Sequence, residues 1–219
     1  MEPDAVEIRV LGCLIEKQRT TPDTYPLSLN SLRLACNQST NRDPVVDYDE
    51  QTVVEALRRL ALRGWTRLAS GAGSRARKYR HLLDQAFGLD DGEVALLAVL
   101  MLRGSQTPGE LKQRGQRLHD FAVIDAVHET LERLVERGQV ARHERRPGQK
   151  EDRYEQLLGG AAADTAPTAV DDGGPEPEAG PINDSGGELK PAEDRLTRLE
   201  RELAELRAEL ASLRAELGD

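Results

Sequence analysis

Between Arg58 and Arg80 the chain carries eight cationic side chains, Arg58, Arg59, Arg63, Arg67, Arg75, Arg77, Lys78 and Arg80, and no acid lies between Glu55 and Asp84. A run of this kind suits an anionic partner. Guanidinium and ammonium groups bind phosphate by charge and hydrogen bonding, and they displace the counterions condensed on duplex DNA. Just upstream, Gln51 and Thr52 are of the types that hydrogen-bond base edges. Arg42, in Asn41-Arg42-Asp43-Pro44, is a further candidate for phosphate or base contact. The candidate DNA-binding set is therefore Arg42, Gln51, Thr52, Arg58, Arg67, Arg75, Arg77, Lys78 and Arg80. The competing reading of the arginines is a solvated face paired with acids elsewhere in the fold.

Residues for catalysis are not gathered in the same way. The four histidines, His81, His119, His128 and His143, have no metal-ligand spacing, so no metal is expected. The chain contains no nucleophile elbow, phosphate-cradling loop or dinucleotide fingerprint, and neither an enzyme nor a cofactor is expected. Gly71-Ala72-Gly73 is a loose glycine pair with no helix behind it. Cys13 and Cys36 lie in helical patterns without a C-x-x-C pair, as two buried thiols of a reducing compartment would.

The elements that must position the basic run follow from periodicity. Val6, Val10, Leu11, Leu14 and Ile15 mark a first helix ending near Gln18. Ser28 is a candidate N-cap for a second, with Leu29, Leu32 and Cys36 inward. A third runs from about Asp49 to Arg63 on Val53, Leu57 and Leu60, and Gly64 stops it. Trp65–Leu68 and Arg77–Arg80 then read as two strands of a hairpin with its tip at residues 70–74.

The order recurs. A helix over Val94–Leu102, capped by Asp90 or Asp91, precedes a short helix opened by Thr107-Pro108. A third helix over Phe121–Arg137 ends at Gly138, and a second hairpin occupies 139–155. Residues 54–64 superpose on 128–138 at a constant shift of 74, and Tyr79 and Tyr154 follow their glycines by 15 and 16 residues. The expected fold class is mainly α with small β-hairpins (α+β): tandem winged helix-turn-helix domains at 1–84 and 85–158.

The copies differ in surface. The second hairpin mixes Arg142, Arg145, Arg146, Lys150 and Arg153 with Glu144, Glu151 and Asp152. The second copy is therefore expected to touch DNA only at its hairpin, or to dock protein.

Charge separates body from tail. Residues 1–158 balance 24 basic against 24 acidic side chains. Residues 159–219 hold 6 basic and 15 acidic, so the whole net charge of −9 sits there. Residues 159–191 read as a disordered acidic linker. In 192–217, Leu196, Leu199, Leu203, Leu206, Leu210, Leu213 and Leu217 form an a/d heptad seam. The g–e′ pairs Arg195–Glu200, Glu202–Arg207 and Glu209–Arg214 attract in parallel register, so parallel self-association through a coiled coil is expected. No apolar run approaches the ~20 residues that span a bilayer. A cytoplasmic protein without a membrane partner is expected.

Tyr25-Pro26-Leu27-Ser28-Leu29-Asn30, Ala35-Cys36-Asn37-Gln38 and Asn41-Arg42-Asp43-Pro44-Val45, preceded by residues 10–18, resemble the YceH-like family of bacterial proteins over about 5–158. The resemblance implies a tandem winged-helix fold and brings no catalytic residues. Asn37 and Asp43 are expected to shape the turn between helices two and three. The functional expectation is a DNA-binding protein, with transcriptional regulation as a candidate role. The rival is a scaffold whose winged helices dock protein partners.

Overall fold

A computed structural model describes residues 2–69, 77–145 and 150–159, which belong to one compact unit. Arg75, the tip of the first hairpin, the acidic linker from residue 160 and the leucine seam lie outside the described residues. Among the described residues no helix is long and apolar enough to cross a membrane.

The chain is α+β. In the first half, α1 (Ala5–Thr20) leads through a short 3-10 turn to β1 (Leu27–Ser28), α2 (Leu29–Cys36), α3 (Glu50–Leu62), β2 (Thr66–Leu68) and β3 (Lys78–His81). The order of the small antiparallel sheet is β1-β3-β2. A short helix, α4 (Leu83–Phe87), follows, and the expected boundary at 84/85 falls inside it. The second half contains α5 (Asp91–Arg103), α6 (Pro108–Gly115), α7 (Ile124–Glu136) and the antiparallel pair β4 (Val140–His143) and β5 (Arg153–Gln156). The helix starts follow local capping chemistry. Ser28, Asp49, Asp90 and Thr107 each accept a backbone N–H from the first turn of the helix they open.

The repeat is physical as well as textual. Gly64 and Gly138 close α3 and α7 at φ +75° and +67°, a backbone region costly for residues with a Cβ. In both copies the next residue donates back into the helix, Trp65 to Leu60 O and Gln139 to Leu134 O. β1 pairs Leu27 with Tyr79, and an isolated bridge pairs Gln106 with Tyr154 at the equivalent place.

One helix start departs from the sequence expectation, and one packing feature adds to it. The second copy's third helix starts at Ile124, not Phe121, because Phe121 is buried against Gly92 and His119 instead of turning with the helix. And α1 and α5 are not one-sided. Glu7 to Ile15 and Gly92 to Leu102 are buried without a break. Each helix packs on its own copy and on the other, since a Cβ at Gly12 would sit 3.0 Å from Leu102 and Met101. One core therefore serves both copies.

Candidate nucleic-acid interface

The first hairpin is anchored from its core face. Thr66 Oγ1 donates to Leu57 O of α3 at 3.4 Å, and the His81 backbone N–H donates to Tyr25 Oη at 2.9 Å. The His81 ring contacts Gln18 of α1 and accepts from the Leu83 N–H at 3.3 Å. Thr66, Leu68, Tyr79 and His81 share this face by strand alternation.

Arg67, Lys78 and Arg80 occupy the opposite face. Arg67 lies directly across from Arg80. Like charges so placed repel. Arg77 is exposed just before β3, and Arg58 is exposed on the last half of α3. Among the described residues, none of Arg58, Arg67, Arg77, Lys78 and Arg80 enters an ion pair. The structure thus separates the basic run into two groups. Arg59 and Arg63 point inward to Glu7 at 3.1 and 3.3 Å, and Arg59 also meets Asp4 at 2.6 Å. Of the other five, Arg58, Arg67 and Arg77 are exposed and Lys78 and Arg80 half-buried, and none meets a carboxylate among the described residues.

Arg42 requires a correction. Its side chain is 0% exposed. It forks onto Glu16 of α1 at 2.6 and 3.1 Å and also donates to Ala35 O, Asn41 O and Gln38 Oε1. All its donor groups are used inside the fold, so it offers nothing to DNA. The surrounding segment clasps the two copies together. The Asp43 N–H donates to Leu102 O at 2.8 Å, and Arg103 contacts the Asn41 side chain. Arg9, also buried, donates to Pro44 O at 2.7 Å. Asn37 shapes the turn as expected, pairing with both the N–H and the C=O of Tyr48 at 2.9 Å.

The start of α3 is acidic. Asp47, Asp49, Glu50 and Glu55 are all exposed. Asp49 accepts from the Thr52 backbone at 2.7 Å, and the Thr52 backbone and hydroxyl hold its carboxyl below the ordinary range. Gln51 is exposed, and its amide donates to Glu55 Oε1 at 3.3 Å. Thr52 is half-buried. That Glu50 and Glu55 face outward and repel phosphate follows from the helical period of the sequence; the structure adds exposed Asp47 and Asp49 at the same helix mouth.

Among the described residues, the second hairpin has several of its basic side chains paired. Arg142 holds Asp152 at 2.8 Å, His143 faces Glu155 at 3.0 Å, and Arg153 reaches Glu110 at 3.2 Å and Ser105 O at 2.6 Å. A cleft of about 740 Å³ beside α7 is lined by Glu132, Glu144 and Glu151 as well as Arg145 and Lys150. No group of three or more metal-ligating side chains occurs among the described residues.

Residues 4–149 match the family model described as "Protein of unknown function, DUF480". The chain is also similar to curated bacterial proteins called UPF0502 protein. The one from Geotalea daltonii is 50% identical over 176 residues, covering 80% of this chain and 78% of the relative. That from Geobacter metallireducens is 49% identical, covering 72% and 73%. That from Pseudomonas aeruginosa is 49% identical, covering 80% and 77%.

Proposed function

This chain belongs to the DUF480 family of proteins of unknown function, and we propose that it is a non-enzymatic protein that binds duplex DNA through its first hairpin. Each helix–helix–helix–hairpin copy is read as a winged helix, in keeping with the YceH-like resemblance. The observation that carries the proposal is Arg67 facing Arg80, with Lys78 on the same sheet face and no acid opposite. Such a face is destabilising to the free fold and becomes favourable when phosphate supplies the missing charge. Arg58 and Arg77 extend it. The leucine seam at 196–217 joins protomers in this reading, so several hairpins engage one duplex and raise avidity. A cytoplasmic site and a regulatory role accompany the proposal.

The second copy fits protein docking better than DNA, because Arg142, His143 and Arg153 are already paired within it. The scaffold reading rests on that copy.

The experiment is fluorescence anisotropy with a labelled mixed-sequence duplex across a salt series. The wild type should lose affinity linearly in log salt. Replacing Arg67, Lys78 and Arg80 by Ala should weaken binding and flatten the slope by about 0.9 per cation removed. No binding at ~50 mM salt, or a triple variant that binds as the wild type does, sinks the proposal.

A further inference from the structure

Two surfaces of the first copy compete for a place against the duplex, and they carry opposite charge. The hairpin face carries Arg67, Lys78 and Arg80, with Arg77 beside them. The mouth of α3 carries Asp47 just before it, Asp49 at its N-cap, and Glu50 and Glu55 in its first two turns, all exposed. A helix that reads bases enters the major groove by its N-terminal turns, with a phosphate strand on either side. Here those turns would bring four carboxylates between two rows of phosphates. Asp47 is held by the Asn37 amide at 3.1 Å, and Asp49 is tied to the Thr52 backbone, so neither swings away. Glu55 engages the Gln51 amide, the one side chain on this face suited to adenine. Thr52 is turned half inward to its cap. The positive end of the α3 dipole, which would attract phosphate, is already occupied by Asp49.

We propose that the first copy grips duplex DNA by its sugar–phosphate backbone alone. The outward face of β2 and β3 takes the phosphates, and the acidic first turns of α3 hold that helix out of the major groove. Binding is therefore independent of base sequence. This inference rests on the DNA reading above and goes beyond it. It assigns the hairpin as the contact and removes Gln51 and Thr52 from the base-reading set. The duplex is recognised as a rod of regularly spaced negative charge.

The test uses the full chain and three unlabelled duplexes of equal length as competitors: A·T-only, G·C-only and mixed. Their affinities should agree within about threefold, where a base-reading protein separates sites by ~10³ or more. Gln51→Ala should bind each duplex as the wild type does. Lys78→Ala should weaken all three equally and reduce the salt slope by about 0.9. On the bound mixed duplex, hydroxyl-radical cleavage of the sugars should be suppressed, while dimethyl sulfate should methylate guanine N7 in the major groove as in free DNA. A preference above about tenfold for one duplex, loss of affinity in Gln51→Ala, or protection of guanine N7 would overturn the inference and leave DNA binding intact. Absence of salt-sensitive binding to every duplex would instead remove the DNA reading, and this inference with it.

Discussion

Arg42 and His81 show how burial decides what a polar residue does. Arg42 neutralises Glu16 in a bidentate pair and ties down the carbonyl of Ala35. Removing it leaves a carboxylate that is only 15% exposed with Lys17 at 3.6 Å as its remaining ion pair. Arg42→Ala should cost about 3 kcal/mol in urea unfolding, and Arg42→Lys should not restore it, because an ammonium cannot fork onto two carboxylate oxygens. DNA affinity below the unfolding range should be unchanged. His81 lies behind Arg80 with 3% of its surface exposed. Burial pushes its pKa down to about 4, against the upward pull of Asp84 at 3.8 Å. The neutral ring is thus the folded form. Its contribution is complete above the unfolded value of ~6.5 and is lost as pH falls toward 4. Between pH 7 and pH 5 the wild type should lose about 2 kcal/mol in this way. A His81→Gln variant measured by urea titration at both pH values should show that part of the loss abolished.

At the scale of elements, the two copies repeat one electrostatic joint. Asp4 and Glu7 form a capping box on α1, and Asp90 and Glu93 form one on α5. Glu7 and Glu93 are 2% and 1% exposed. Each is held by two arginines one turn apart on the third helix of its copy, Arg59 and Arg63 for Glu7, Arg133 and Arg137 for Glu93. A single carboxylate caps one helix and latches another to it. Glu93→Gln keeps the cap geometry and loses the charge that two guanidiniums face. It should lower the free energy of unfolding by about 2 kcal/mol, and Glu7→Gln should do the same. Equal losses would mark the joint as repeated, and a loss in one copy alone would refute that equivalence. The 74-residue shift that links Arg59 to Arg133 also links Arg63 to Arg137, so half of the joint was legible in sequence. The other half was hidden, because the acids repeat at a shift of 86 and lie far from their partners along the chain.

At the scale of the whole molecule, the copies are welded through α1 and α5. At Gly12 the helices are close-packed, with Leu102 Cγ and Met101 Cβ both 3.0 Å from where its Cβ would be. Gly12→Ala should push the helices apart and destabilise the protein by about 1–3 kcal/mol. Calorimetry should show one transition in the wild type and one, at lower temperature, in the variant. Two transitions would mean that the copies unfold separately and that the shared core is not a cooperative unit. The weld also gives a role to Asn41-Arg42-Asp43-Pro44. The segment reaches α1 through Arg42 and α5 through Asp43, so it belongs to the seam between copies and not to a DNA surface.

The sequence by itself determined what depends on near neighbours in the chain. Helices announced themselves by period and by cap, the stops at Gly64 and Gly138 by the backbone freedom of glycine, and the inequality of the hairpins by composition. Tertiary structure alone decided which of the cations are free. Arg59, Arg63 and Arg42 are spent on Glu7 and Glu16, dozens of residues earlier, whereas Arg58, Arg67, Arg77, Lys78 and Arg80 enter no ion pair among the described residues. The physical reason is that a charge is neutralised by what is near it in space, and folding brings α1 beside α3.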